Sequence, residues 1–418
     1  MMVGVDSTEV FRERTMRRRD FLTGAAGITL LPRLLQAAQP PRDIKITRIV
    51  GFDLSSRRPK LVGKNSRLDV HGDRSADRMV RIFTNAGIEG LGNCRAPSAG
   101  WSGRDELAGL LGKNPLEWFD SSKRAMGGPL GSRDMPLWDL LGKVLQKPVY
   151  ELLGGHGPQR VPVYDGSIYF ADLLPQYADH WQDRFKEEID MSRQQGHRAV
   201  KVKIGRGARW MKRDEGDRRD VEVVQVIRQH AGDDLLIGVD ANNGYDLAGA
   251  KRFLDRAGSL NLAFVEELFP EKLDECLELK RFIAERGWKT LLADGETKSE
   301  LSALKPFIEA KAIDVLQGDM NHFGIGGIMT EAAWARPQGI LVAPHNWGSL
   351  VGFYMQLHVG RAISNFYRAE RDPLSTDLLI ADGYKIADGT CSVPASPGFG
   401  LRLDEEKLRN LKIDFDLR

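Results

Sequence analysis

Six acid or base residues recur along the second half of the chain at a nearly constant interval: Asp240, Glu266, Glu296, Asp319, His345 and Glu370, with steps of 26, 30, 23, 26 and 25 residues. The first three offer only carboxylate oxygens, a donor set that suits Mg²⁺ better than zinc, which favours His and Cys. Singly, each reads more readily as a solvated loop acid or a helix cap; it is the common phase that argues for a shared metal. Lys201 and Lys203 alternate with Val200, Val202 and Ile204, so both amines project to one side of a strand. An amphipathic edge strand is the plain alternative. If the lysines face a metal, crowding by a second lysine and a divalent cation drives a lysine pKa down towards neutrality, as a general base requires. His345 follows Pro344, and Asp319 stands one interval earlier. On neighbouring strands the carboxylate would fix the imidazole tautomer and stabilise its protonated form. His322, between Asn321 and Phe323, reads as a residue that shapes a loop.

Such a set has a definite chemistry. A metal that binds a carboxylate stabilises the charge that develops when the neighbouring α-proton leaves, which makes an enediolate accessible. A lysine on one side and a His–Asp dyad on the other then permit racemisation, or proton abstraction coupled to loss of a β-hydroxyl. Glu370, if protonated, could donate a hydrogen bond to the enediolate oxygen.

The interval has a structural origin in the runs that precede each polar residue. Short β-branched apolar runs lie at 161–164, 199–204, 235–239, 262–265, 290–293, 313–316, 340–343 and, less clearly, 363–367, each followed by a helix-like stretch. Alternation of this kind predicts a parallel βα array, and eight units close into a barrel whose active site sits at the strand C-termini. Residues 44–160 carry strand-like segments at 44–54 and 78–84 and helical ones at 107–111 and 136–145, and read as a separate α+β domain. The barrel spans 161–381. The tail, 382–418, holds Pro394, Pro397, Gly398 and Gly400 and is expected to return to the first domain.

Composition sets the outer limits. The 418 residues are 42% apolar and 28% charged, with 60 Lys+Arg against 58 Asp+Glu; this profile excludes a disordered, collagen-like or multi-pass membrane chain. Near-neutrality argues against a nucleic-acid partner, and the Arg-rich stretch 206–219 is interleaved with Asp214, Glu215 and Asp217. Cys94, Cys276 and Cys391 lie far apart with no CxxC and read as small buried apolar residues. Residues 1–39 read as a twin-arginine leader: Arg17, Arg18 and Arg19, then Phe21-Leu22 and a weakly apolar stretch at 24–31, too short to span a bilayer. The expectation is export to a bacterial periplasm, or a cytoplasmic protein if the leader is unused. The cleavage site is poor, so retention as an anchor and a start at Met16 stay open. With six Arg and four acids in the leader, the remaining body is neutral.

These residues resemble the enolase superfamily, mandelate racemase subgroup, over almost all of 44–410. The likeness is carried by Val200-Lys201-Val202-Lys203-Ile204-Gly205, Val239-Asp240-Ala241-Asn242, Val265-Glu266-Glu267 and Gly295-Glu296. Asp319 with Gly326-Gly327, Pro344-His345-Asn346, Trp138-Asp139 before Leu152-Leu153-Gly154-Gly155, and Pro397-Gly398-Phe399-Gly400 complete it. The resemblance implies a (β/α)7β TIM-like barrel capped by an N-terminal α+β domain. It implies Mg²⁺ on Asp240, Glu266 and Glu296, base roles for Lys203 and the His345–Asp319 dyad, and substrate-carboxylate contact by Lys201. Asn242 would touch substrate and Glu370 would be the electrophilic acid. Asp319 and His345 separate the chain from the muconate lactonizing subgroup, which has a lysine there, and so disfavour cycloisomerase and dipeptide epimerase activity. Leu268 and Gly318 stand where relatives have Pro, and the leader is a further departure.

Three functions follow in order. The first is Mg²⁺-dependent dehydration of a sugar acid to a 2-keto-3-deoxy acid. The second is a racemase or epimerase of a 2-hydroxy acid, and the third, from another class, a non-catalytic sugar-acid binding protein. The partner is a small carboxylate, the loop at 61–73 with Lys64, Arg67 and His71 closes over its distal end, and a homo-oligomer is expected.

Overall fold

The computed structural model describes residues 43–94 and 103–418. The leader read at 1–39 lies outside the described residues. A long hairpin opens the chain, β1 (Ile46–Val62) and β2 (Gly72–Thr84), followed by β3 (Glu89–Asn93), α1 (Arg104–Ala108), the short pair β4 (Phe119–Asp120) and β5 (Ala125–Met126), α2 (Met135–Val144) and α3 (Val149–Leu152). Then come β6 (Arg160–Ile168), α4 (Trp181–Gln194), β7 (Ala199–Lys203), α5 (Arg213–Ala231), β8 (Leu236–Asp240), α6 (Leu247–Ala257), β9 (Leu262–Glu266) and α7 (Leu273–Glu285). The alternation continues with β10 (Leu291–Asp294), α8 (Lys305–Glu309), β11 (Val315–Leu316), α9 (Met320–Ala335), β12 (Leu341–Val342), α10 (Leu350–Ala362) and β13 (Ala369–Arg371). The tail adds β14 (Leu379–Ile380), β15 (Ile386–Ala387), β16 (Thr390–Ser392), β17 (Arg402–Leu403), α11 (Glu405–Leu408) and β18 (Ile413–Leu417).

Strands β6 to β12 pair in parallel and in chain order. Closure runs through residues 366–371, where Phe366 bridges Val342 and β13 pairs with β6, Glu370 opposite Tyr164. Eight strands with seven intervening helices make a (β/α)7β barrel. The last strand is 369–371 rather than 363–367. The apolar signal at 363–367 belongs to the exit of α10 and the bridge, whereas the strand itself is the charged sequence Ala369-Glu370-Arg371, which hydropathy does not mark.

A single period-two phase explains how the barrel is filled. Tyr164, Ala199, Phe264, Ala293, Val315 and Ala343 form an apolar layer inside it. Two residues on from four of these stand Lys201, Glu266, Gln317 and His345. Glu296 is out of this phase by one, and Gly295, at φ 127°, makes the turn that an L side chain rarely adopts.

The first sheet is antiparallel in the order β18-β1-β2-β3. The tail therefore does return to it, through β18 on β1, but only after residues 386–392 have formed a hairpin on the outside of β6. Two buried acids from the N-terminal part fasten it to the barrel as helix caps. Asp77 accepts from Leu350 N (2.9 Å) and Val351 N (3.2 Å) at the start of α10, and Asp134 accepts from Ile325 N and Gly326 N, where Gly324 breaks α9. Each carboxylate thus satisfies free amides at a positive helix end.

Asp139 of α2 does the same for the tail. It is fully buried and accepts from Leu91 N and Phe399 N, both at 2.8 Å, and pairs with Lys143 at 2.7 Å. Asp139→Ala leaves two buried amides without acceptors and is expected to lower stability by about 2–4 kcal/mol. Thermal denaturation checks this, and a melting temperature equal to that of the parent would show that the tail is anchored elsewhere.

Candidate active site

The strand ends deliver their polar side chains to one point. Oxygens of Asp240, Glu266 and Glu296 all lie within 4.8 Å of one another. Lys201 and Lys203 are 1% and 4% exposed. Lys201 Nζ reaches Glu266 Oε1 at 2.6 Å, Glu370 Oε1 at 2.8 Å and Asp240 Oδ2 at 3.3 Å. Lys203 bonds Asp240 and, at 2.8 Å, Asn242 Oδ1. On the other side His345 Nδ1 bonds Asp319 Oδ2 at 2.6 Å, while its Nε2 lies 3.2 Å from Glu296 Oε2 and 4.0 Å from Glu370 Oε2. The carboxylate cluster is therefore flanked by an amine at the Asp240 end and an imidazole at the Glu296 end.

Each element has a local reason to hold its group. Asp319 is the N-cap of α9, accepting from Asn321 N and His322 N through the oxygen that His345 does not use. One carboxylate thereby starts a helix and fixes an imidazole. Asn242 and Glu267, just beyond β8 and β9, sit at φ 42° and 41°, conformations that cost free energy for residues with a Cβ and mark a constrained site. Their side chains bond each other at 3.1 Å.

The electrostatics follow from burial set against pairing. Burial works against charge on Lys201, but Glu266 and Glu370 raise its pKa well above the usual lysine range. Burial favours protonation of Glu370, yet Lys201 and His345 hold its pKa below the usual range. Glu370 thus stands as an ionised partner of Lys201 rather than as the protonated donor anticipated from sequence. Burial opposes charge on His345, but Glu296, Asp319 and Glu370 push its pKa up to about 10. Glu266 rises to about 8 through burial and through repulsion by Asp240 and Glu296, against the pull of Lys201.

Those charges test whether a metal fits. Repulsion by Asp240 and Glu296 helps to push Glu266 up, and a divalent cation among the three carboxylates would relieve it. Glu296 Oε2, moreover, is buried and makes no hydrogen bond despite the nearby imidazole. An all-oxygen triad with an orphaned buried oxygen suits Mg²⁺.

All nine residues singled out in the sequence lie in this cluster or in direct contact with it. Asn242 differs in employment: its side chain is taken up by Lys203 and Glu267, so it orients the lysine. His322 stands at the start of α9 with a buried, unpartnered Nδ1. Four further residues were given no role from the sequence, Glu267 only as part of the Glu266-Glu267 pair. Gln317 donates to Glu266 Oε2 at 2.7 Å. Glu267, pushed up to about 10 by burial, Glu296 and Asp240, braces Asn242 and Asn243. Tyr164 has a buried hydroxyl without a partner and lies 5.8 Å from the Lys201 amine, and Tyr169 stacks on Trp347 at 4.7 Å beside Lys203. For Gln317 a signal existed, since it is in phase with Asp319. For the aromatics none did, because aromatic residues also fill cores.

The loop after β1 does approach the barrel mouth. Ser66 Oγ donates to Ala241 O at 2.6 Å, Trp210 Nε1 donates to Asn65 O at 2.6 Å, and Trp347 Nε1 donates to His71 Nδ1 at 3.3 Å. Gly318 is explained by packing. A Cβ there would lie 2.0 Å from the buried Glu331 carboxylate, and the Gly318 amide, which Pro lacks, donates to Glu331 Oε1. The three cysteines are buried, which pushes Cys94 and Cys276 up to about 12 and Cys391 to about 11.

Comparison with known proteins agrees with this geometry. A family described as Enolase C-terminal domain-like matches residues 184–407. The chain is 31% identical to a galacturonate dehydratase of a Geobacillus species, whose structure holds D-galacturonate and 5-keto-4-deoxy-D-galacturonate; the match covers 90% of this chain and 99% of that one, with a TM-score of 0.79. A mandelate racemase/muconate lactonizing protein of Geobacillus sp. Y412MC10, complexed with magnesium and tartrate, is likewise 31% identical, over 90% and 96% of the two chains, with a TM-score of 0.79. Among curated relatives, a D-galactarolactone cycloisomerase of Agrobacterium fabrum is 26% identical over 380 residues, 82% of this chain and 92% of its own.

If Glu296 is a metal ligand, Glu296→Gln is expected to abolish the rise in melting temperature that Mg²⁺ gives the parent protein. The same Mg²⁺-dependent shift in both proteins would refute that assignment.

Proposed function

Because the chain belongs to the enolase superfamily, in its mandelate racemase branch, we propose that it dehydrates a sugar acid by removing the proton α to a carboxylate and expelling a β-hydroxyl. The observation that carries this reading is the flanked triad: an amine at one end of the three carboxylates and an imidazole, backed by Asp319, at the other. Mg²⁺ on Asp240, Glu266 and Glu296 would attract the substrate carboxylate and offset the negative charge that develops beside it.

The chain's own residues divide the remaining work. Lys203, held by Asp240 and Asn242, is the base for the α-proton in its neutral form, which a divalent cation sharing Asp240 would favour; Lys201 balances negative charge where the substrate carboxylate sits. His345, which its carboxylate neighbours keep protonated at neutral pH, donates to the departing hydroxyl as general acid. Glu370 keeps Lys201 in position and caps the loop after His345 through Asn346 N at 3.0 Å. The galacturonate dehydratase relative makes uronic acids the first class to try, and the cycloisomerase relative brings sugar lactones back into consideration, although Asp319 and His345 had argued against them in the sequence.

The test uses the protein with Mg²⁺ in D₂O and a panel of uronic, aldonic and aldaric acids and their lactones. The expected product is a keto-deoxy acid. Deuterium at the α-carbon without dehydration would move the protein to the racemases and epimerases, and a ring-opened lactone product to the cycloisomerases. With a substrate in hand, His345→Asn is expected to lose keto-acid formation by about 10²-fold or more while α-deuterium exchange through Lys203 persists. Turnover at the parent rate would sink the dyad.

Export is a separate part of the reading, supported by Arg17-Arg18-Arg19 ahead of Phe21-Leu22. Replacing the three arginines with lysines is expected to shift the protein from the periplasmic to the cytoplasmic fraction. A distribution unchanged by the substitution would remove the leader assignment.

A further inference from the structure

A regular eightfold barrel has a helix outside every pair of strands, but here the chain after β13 runs through the short strands β14 to β17 and reaches only the four-residue α11. The outer side of β13 is flanked instead by α10, by the end of α4, by the β15–β16 hairpin and by residues 57–59 of β1. They do not fill it: a cavity of about 510 Å³ remains.

The lining is one-sided in charge. Arg57, Arg371 and Lys385 line it, and among its described lining residues there is no Asp or Glu. Arg57 and Lys385 are exposed, and their side chains make no hydrogen bond or ion pair with a described residue. Arg371 is largely enclosed yet makes one hydrogen bond, to Gln195 Oε1 at 2.9 Å, and no ion pair. Burial holds its pKa below the usual arginine range even with Asp165 in the vicinity. A guanidinium taken from water without a carboxylate is costly unless an anion or water completes its fork of donors. The other arginine at this wall, Arg58, marks the contrast: it is buried and bidentate to Asp372, at 2.8 and 2.6 Å.

The apolar part of the wall is aromatic. Phe353 and Tyr354 of α10 have ring centroids 5.6 Å apart, Tyr384 lies 4.6 Å from Tyr354, and the Tyr354 hydroxyl bonds no other described residue. From these observations we propose that the notch left by the absent eighth helix is a second binding site, for a small organic anion. Its carboxylate or phosphate would pair with Arg371, with Lys385 and Arg57 at the entrance, and its planar or apolar body would lie on Tyr354, Tyr384 and Phe353.

The site is wired to the catalytic one by chain continuity. Arg371 follows Glu370, which pairs with Lys201 inside the barrel, and Arg58 is joined through Asp372 to Gly348 N in the loop after His345. An anion bound outside β13 therefore bears on the strand that carries Glu370.

Calorimetric titration of the full chain with Mg²⁺ tests this, using phenyl phosphate, benzoate and uncharged benzyl alcohol as probes. The parent is compared with an Arg57→Glu, Lys385→Glu double variant, both positions being exposed, and with Arg371→Gln. The expected result is binding of at least one anion, none of benzyl alcohol, and at least a tenfold loss of affinity in the double variant at an unchanged melting temperature. Preference for phenyl phosphate or for benzoate would tell a phosphorylated ligand from a carboxylate, and either supports the site. Four results would overturn it: no anion binds; the anions bind parent and variants alike, which locates them at the metal centre; benzyl alcohol binds as tightly as the anions; or sedimentation shows that the double variant changes oligomeric state while anion affinity stays the same, which makes the notch a subunit contact. None of these outcomes depends on whether the enzyme dehydrates a sugar acid.

Discussion

Two lysines are buried inside the barrel, and the architecture of the site is the answer to that cost. An ammonium group removed from water is tolerable only when carboxylates meet it at hydrogen-bond distance, and Lys201 and Lys203 meet theirs from β8, β9 and β13. The parallel register makes this possible, since Lys203 is aligned with Asp240 and Asp240 with Glu266 across neighbouring strands. The acids cannot gather there alone: repulsion by Asp240 and Glu296 helps to push Glu266 upward. Amines and acids balance one another there, and removing a member leaves its partners unpaired away from water.

That balance depends on keeping water out. The N-terminal region lies against the barrel mouth, and it is attached at points that also order the barrel. Asp77 and Asp134 cap α10 and α9, the two helices on either side of the dyad's strand, and the loop at 63–71 touches the backbone just after Asp240 through Ser66. The N-terminal region and the dyad are linked through α9, whose first turn is capped by Asp319 and whose part beyond the break at Gly324 is capped by Asp134. Gly318 belongs to the same link. Its amide and its missing side chain accommodate Glu331, which burial pushes up to about 8, directly before the dyad's aspartate.

Much of this was legible in the sequence because barrels repeat. One strand and one helix per unit give an interval of about 26 residues, and inward phase on each strand gives a period of two. A polar residue that keeps both rhythms, such as Asp240, Glu266 or His345, therefore announces a position at the mouth. The same rhythms fail at Glu296, which needs the turn at Gly295, and at β13, whose charged tripeptide carries no strand-like hydropathy. The tail was legible as turn-rich, but its pairing with β6 before its return to β1 was not, since pairing between distant segments leaves no local pattern.

Residue type and spacing alone determined which groups could meet and what chemistry they share: oxygen ligands, an amine base and an imidazole backed by a carboxylate. Only the tertiary structure decided how those groups are charged. Protonation depends on distances between strands and on burial, neither of which is written locally in the chain. Hence Glu370, anticipated as a neutral donor, is held ionised against Lys201; Lys201 is held cationic by Glu266 and Glu370; and Arg371, next in the chain to Glu370, lines a notch and forms no ion pair among the described residues.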